Sequence, residues 1–457
     1  MRHLWYRLRR VLCGGFHEPW QRNLAVLWLA QLFSVAGFNT IIPFLPFYVQ
    51  ELGVTNPSAV KLWAGMLSSG PMIGFAVMAP IWGRLADRRG RKLMVLRASC
   101  GGMIVLALMG LATAPWHLLA IRVLQGLITG IFAAITVLVS SMVPRKRVGF
   151  ALGLMQTCVY LGGTIAPPLS GLLVDHHGYR VATFVGAGLL LIAMLFTLFG
   201  VHERFEPVTG GVDTGNHKDA SPWQVFRSER ALLGLAAMFL VVRLAQAFPR
   251  AVLPLFVQEL SKVPGRLATV TGTITSAAAL AGALAAVTIG RMGDRIGHRR
   301  VLLYCLTGSA VFYLPQALAV STTQLALLQF GLGFFVGGAI LALNALVARQ
   351  SEHGREGVNY GYVSSAGYIG LAAAPMLGST VASAWSTRAT FAVTAALSLL
   401  AAIWVGRGTS KSIRGNGAAG DGEQGTVAPD PSPPPAQTAS RGPLPESQYH
   451  KSLSGRE

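Results

Sequence analysis

Gly83-Arg84-Leu85-Ala86-Asp87-Arg88-Arg89-Gly90-Arg91-Lys92 and Gly290-Arg291-Met292-Gly293-Asp294-Arg295-Ile296-Gly297-His298-Arg299 are one basic signature written twice. Each copy is wedged between apolar segments of about 20 residues, the length of a bilayer-crossing helix. Glycine, aspartate and glycine stand at 83, 87 and 90 and again at 290, 294 and 297, a constant offset of 207. So dense a cluster of charge has no place in hydrocarbon, so each copy reads as a turn outside the bilayer, and the pair reads as an internal duplication.

Composition points the same way. Apolar residues make up 52% of the 457 and charged residues 12%, and the mean hydropathy is +0.50, outside the range of a chain with a solvated surface. The pattern predicts an all-α membrane protein with twelve transmembrane helices in two six-helix pseudo-repeats. The spans fall near 24–48, 62–83, 93–114, 116–140, 149–173, 179–201, 231–257, 268–290, 301–319, 323–348, 358–383 and 388–406 (spans 1 to 12). The domains are then a basic N-terminus (1–22), an N-terminal bundle (23–201), a linker (202–229), a C-terminal bundle (230–406) and a tail (407–457). The tail is rich in Gly, Ser and Pro and lacks the apolar content to bury anything. Leu4, Trp5, Leu8, Val11 and Leu12 suggest an interfacial amphipathic helix or a plain basic leader, and the N-terminal stretch has no signal-peptide pattern.

The net charge of +20 does not form one face, so nucleic acid is not the expected partner. Twenty-nine of the 38 lysines and arginines sit in the N-terminus, the even-to-odd loops and the tail, against five on the opposite side. By the positive-inside rule both termini are cytoplasmic. Arg97, Arg122, Arg243 and Arg250 lie within spans and require partners or water there. The four cysteines form no disulfide framework.

The first signature copy matches the pattern G-x-L-A-D-R-x-G-R-K throughout, and on it the chain resembles the major facilitator superfamily. Pro46-Phe47-Tyr48-Val49-Gln50-Glu51-Leu52 recurs as Pro254-Leu255-Phe256-Val257-Gln258-Glu259-Leu260 at an offset of 208, which extends the duplication through the membrane region. Arg122-Val123-Leu124-Gln125-Gly126 with Gly130 looks like the R-x-x-Q-G motif of proton-coupled members, where the arginine is associated with proton handling. The second half has Gln329 in its place. The alternative for Arg122 is a guanidinium that only satisfies interhelical carbonyls. Gly153, Gly162, Ala166-Pro167 and Ser170-Gly171 fit the antiporter motif of span 5, with alanine and serine replacing two glycines; Gly361, Gly370, Ala374-Pro375 and Gly378-Ser379 repeat it on span 11. Small residues beside a proline imply a bent, closely packed helix that seals a cavity.

From about residue 20 to 406 the chain is similar to bacterial drug/proton antiporters of the MdtG-like multidrug exporter type. The resemblance implies a cavity lined by spans 1, 4, 7 and 10, alternating access by rocking of the two bundles, and a monomer in the bacterial inner membrane. It implies export of amphipathic small molecules with the proton as coupling ion. In the signature copies, Gly83, Asp87, Arg88, Gly90 and Arg91, and Gly290, Asp294, Arg295 and Gly297, become gating residues.

The carboxylates do not fit so simply. All eighteen lie in loops, tails or span ends, so the proton-coupling candidates are Arg122 with Gln125 and, at the outer ends, Glu51, Glu259 and Asp175 beside His176 and His177. Arg243 and Arg250, seven residues apart with Pro249 between them, favour an anionic group on the solute if both face the cavity; otherwise Arg250 reaches outward and only Arg243 is buried. Phe38, Phe44 and Phe248 are the candidate apolar wall. A proton-coupled importer or exporter of an organic anion, and a non-transporting receptor or scaffold, are the competing readings. No metal site, cofactor or enzyme motif is expected.

Overall fold

The computed structural model describes residues 18–144, 147–203, 230–261, 265–350 and 356–407. The expected N-terminal amphipathic helix, most of the linker and the tail therefore lie outside the described residues. Within them every regular element is helical. Seven helices are long and apolar enough to cross a membrane by length and composition, and one of them, Val148–Gly200, is two spans run together at Gly178. The rest of the twelve are more broken or richer in small and polar residues.

Span 1 is Pro19–Asn39, a 3-10 turn Ile42–Phe44 and Leu45–Glu51. Span 2 is Pro57–Arg89, span 3 Arg91–Gly110, and span 4 Pro115–Ile128 followed by Ile131–Met142. Spans 5 and 6 occupy Val148–Gly200. Span 7 is Arg230–Ala247 and Leu253–Leu260, span 8 Leu267–Ile296, span 9 His298–Ala317, span 10 Thr322–Gln350, span 11 Glu356–Ala384 and span 12 Thr387–Arg407. Large apolar side chains such as Leu169, Phe199 and Leu327 are exposed along these helices, as a hydrocarbon solvent allows.

The signature copies are not the loops the sequence suggests. Gly83 to Arg89 continue span 2 as helix, and the turn is Gly90 alone, which ends span 2 and begins span 3. Its φ is 100°, and Gly297 in the second copy has φ 90°, a backbone region that side chains with a Cβ disfavour. The glycines are thus the hinge points, and the basic residues ride on helix ends, where Arg88, Arg89 and Arg295 complement the C-terminal dipole.

Among the described residues three spans are interrupted midway. Span 1 breaks over Thr40–Phe44, with Pro43 inside the break and Pro46 just past it; span 7 breaks over Phe248–Val252, with Pro249 inside the break and Pro254 just past it, and each proline deletes a backbone donor. Span 4 breaks at Thr129 and Gly130. The carbonyls freed at that third break are taken up by neighbours: Trp82 Nε1 donates to Leu127 O at 2.8 Å and Arg97 Nη2 to Thr129 O at 3.3 Å. The Arg97 guanidinium also lies 3.4 Å from the Trp82 ring centroid, which accounts for one of the four arginines inside spans.

Candidate functional site

The two halves are fastened at the end opposite the signature copies. Here span 5 crosses span 8, and span 11 crosses span 2. A Cβ on Gly171 would fall 2.5 Å from Ala268 O, and one on Gly272 would fall 2.2 Å from Pro167 O. On the other side, a Cβ on Gly65 would fall 2.7 Å from Ser379 Cβ and 3.0 Å from Pro375 O. The small residues and prolines of the span 5 motif and its span 11 copy therefore form the seam between halves, as backbone-to-backbone contact.

Polar groups lock both crossings. The Asp175 carboxylate, at the end of span 5, accepts from Ala268 N at 3.0 Å, Thr269 N at 2.8 Å and Thr269 Oγ1 at 2.6 Å. The two N–H groups are free donors of the first turn of span 8, so an anion there meets both of them and the positive helix end. At the related crossing, Lys61 Nζ donates to Ala382 O near the end of span 11 at 3.2 Å. Between the crossings Gln50 and Gln258 exchange two hydrogen bonds of 2.9 and 3.0 Å. Phe44, Phe47, Val174, Ala251, Leu255 and Ala268 pack beneath as one apolar plug drawn from both halves.

The opposite, basic end shows no such seam at span 5. Cβ atoms on Gly149 and Gly153 would meet nothing within 4 Å. Gly153, expected in the closed seam, thus faces open space, while Gly162 packs on Val35 of span 1. Ala166, Pro167 and Ser170 are buried in the seam with Gly171. The two halves are thus joined at one end, while span 5 is open at Gly149 and Gly153 at the other.

Several expected cavity residues turn out to be packing. Phe44 is fully buried in the plug, Phe38 is buried in the core of the N-terminal half, and the Phe248 carbonyl is what a Cβ on Gly378 would strike. None of the three is an open wall, because spans that are apolar all round leave the sequence no mark of which face is lined. Arg122, expected at the cavity, is 4% exposed; its Nε donates to Leu67 O of span 2 at 2.8 Å and its Nη1 to Gln125 Oε1 at 2.5 Å. One of these two partners is the interhelical carbonyl that the alternative reading expects. Arg243 is half-buried with its guanidinium 5.5 Å from the Phe239 ring centroid and its stem against Gly367 of span 11. Arg250, in contrast, is exposed at the break of span 7, within electrostatic reach of the buried Tyr313 of span 9.

The outer carboxylates divide likewise. Glu259 accepts a short hydrogen bond from Thr387 Oγ1 at the start of span 12, inside its own half, and Glu51 is exposed at the end of its helix. Both lie at span ends beyond the breaks, at the end opposite the signature copies. His176 and His177 are exposed, His176 Nδ1 lying 2.9 Å from Leu172 O.

At the signature end, Gly90 is buried, Arg91 is half-buried, Gly297 is half-buried, and Arg88 and Arg295 are exposed. The side-chain surroundings of Gly83, Asp87, Gly290 and Asp294 lie outside the described part of the structure, as do those of Gly361. A carboxylate that the sequence did not single out is prominent here: Glu203, just past span 6, accepts from Arg91 N at 3.0 Å and Lys92 N at 2.8 Å, capping span 3. In the second half Arg299 of span 9 instead donates to the last carbonyls of span 12, Val405 O at 3.1 Å and Gly406 O at 2.8 Å. Lys61, Gln50 and Gln258 were also missed, although the offset of 208 between the two glutamines was visible.

Twelve helical spans, a duplicated signature and a seam between related halves around interrupted spans decide the family. The chain belongs to the major facilitator superfamily. The superfamily's sequence profile matches residues 27–269 and again 265–445. The multidrug resistance protein MdtG of Salmonella dublin is 36% identical over 385 residues, covering 84% of this chain and 95% of the relative. MdtG of Salmonella typhimurium strain LT2 is 35% identical with the same coverage. Among solved structures, a bacterial homologue of the human lysosomal transporter Spinster, inward-facing and occupied, aligns with a TM-score of 0.71 at 14% identity over 87% of this chain and 99% of that one. The human organic anion transporter MFSD10 aligns with a TM-score of 0.65 at 17% identity over 85% and 100%; at such identities these two attest the fold. The chain is accordingly a multi-pass membrane transporter and not an enzyme.

Proposed function

We propose that this transporter is a multidrug exporter of the bacterial inner membrane, working as a monomer by alternating access. The basic end is cytoplasmic, so a protein closed at its far end is in the cytoplasm-facing state. The observation that carries the reading is the seam itself: both crossings are fastened on one side while Gly149 and Gly153 are open on the other. The MdtG relatives, named for multidrug resistance, support efflux as the direction. Proton antiport supplies the driving force, and Asp87 and Asp294 act in the cytoplasmic gate.

Arg250 supports a finer statement about the solute. It lies at the interruption of span 7, one half-helix from the outer end, and Pro254 has removed the donor that its own carbonyl would meet. A guanidinium at that depth facing lipid is costly, so its exposure favours a water-filled interior. Interrupted spans at the midplane are where transporters of this build bind solutes. The solute is then an amphipath whose anionic group meets Arg250.

The test is uptake of a labelled compound panel into inverted vesicles, with and without a proton uncoupler. Uptake that the uncoupler abolishes is the expected result; accumulation in right-side-out vesicles instead would reject export. Arg250→Gln is expected to raise KM for carboxylate-bearing compounds about tenfold while leaving cationic dyes within about twofold. Equal losses for both classes reject the anion-binding role.

A further inference from the structure

We propose that Arg122 is a positioning residue whose guanidinium replaces the backbone N–H that Pro71 lacks, and that it holds span 2 against span 4 at that point. In a helix the carbonyl of Leu67 is served by the N–H of the residue four positions on. That residue is Pro71, which has no N–H and leaves the carbonyl without its donor. Leu67 is fully buried, so water does not serve in its place. Arg122 Nε reaches across from span 4 and donates to that carbonyl at 2.8 Å, and Gln125 Oε1 takes up Nη1.

The surrounding backbone is built for this approach. A Cβ on Gly126 would stand 2.2 Å from Pro71 O, and one on Gly74 would stand 2.7 Å from the Gly126 carbonyl carbon. The second half is a natural control. At the offset of 207, Pro71 corresponds to Ala278, Leu67 to Ile274, Gly126 to Gly333 and Arg122 to Gln329. The backbones approach just as closely, a Cβ on Gly333 falling 2.1 Å from Ala278 O. Ala278 keeps its N–H, Ile274 loses no donor, and Gln329 turns away to donate to Gln316 Oε1 of span 9 at 3.0 Å. The arginine appears where the proline appears.

Span 2 carries Lys61 and Gly65 of the far-end seam at one end and the first signature copy at the other. Replacing the donor that Pro71 removes keeps the helix stiff there, so that both of its ends move together, and this is the work assigned to Arg122 in transport, in place of proton exchange or solute contact.

The experiment is a double-substitution cycle on full-length protein, read by melting temperature in detergent and by transport in vesicles. Arg122→Gln is expected to lower the melting temperature and to slow transport about tenfold. On a Pro71→Ala background the same substitution should cost less than half as much in both readings, with the pH profile of transport keeping its wild-type shape. A cost as large as in the native background overturns the proposal, and so does a pH profile flattened in the double variant. A second arm runs the logic in reverse: Ala278→Pro should lower the melting temperature, and adding Gln329→Arg should recover at least half of the loss. No recovery counts against the proposal, and because the melting arm needs no substrate, its result stands apart from the export assay.

Discussion

The two crossings that close the far end share a backbone and differ in how they are pinned. Span 5 on span 8 and span 11 on span 2 both bring glycine within van der Waals range of a neighbour near a proline, at matching positions of the two halves. The first is held by a carboxylate accepting three hydrogen bonds from a helix start, the second by one ammonium reaching a carbonyl near a helix end. Ala268 stands at the position equivalent to Lys61, and Ser383 at the position equivalent to Asp175. Duplication has preserved the shape of the contact and let its chemistry diverge, so the two pins should yield with different ease.

The largest effect is expected from the shared element, the backbone approach. Gly171→Leu forces a side chain into Ala268 and Thr269, and overpacking of this kind costs about 1–3 kcal/mol or more; transport should fall more than tenfold. Spin labels on Ser58→Cys and Ser386→Cys, in protein with the native cysteines replaced, should report a far end shifted to longer distances. An unchanged distance would mean that the seam is not what closes the far end.

Asp175→Ala comes next. Three donors lose a charged acceptor, and with the site half-exposed the net loss is about 1–2 kcal/mol. The same labels should show the open population rising about tenfold. Lys61→Ala removes a single bond worth about 0.5–1 kcal/mol, a shift of about two- to fivefold. If the two shifts are equal, the divergence between the crossings is cosmetic. Gly153→Ala is expected to leave the far-end distances unchanged, since nothing lies within 4 Å of the added methyl.

Much of this frame is readable from the chain alone. The repeated signature, the recurrence of Pro46–Leu52 as Pro254–Leu260 and the paired span 5 and span 11 motifs all place residues by offset, and offset survives folding. What the sequence hid is direction. Phe38, Phe44 and Phe248 look like a cavity wall because spans that are apolar on every side carry no periodic mark of the face that is lined. Gly83 to Arg89 look like a loop because polar residues leave the bilayer, yet a helix continues past the membrane edge at no cost until Gly90 stops it. The link between Arg122 and Pro71 spans 51 positions and two helices, so the missing donor and the residue that replaces it are both visible but their meeting is not.

The two clasps at the signature end have a consequence for the continuity of the polypeptide. Glu203 ties the close of the sixth span to the start of the third, and Arg299 ties the close of the twelfth to the start of the ninth. Each bundle therefore secures its own last helix without help from its sister. A transporter made as two separate peptides, cut between 204 and 229, has every tie described here still available to it, and co-production of the pair should restore the activity of the intact chain.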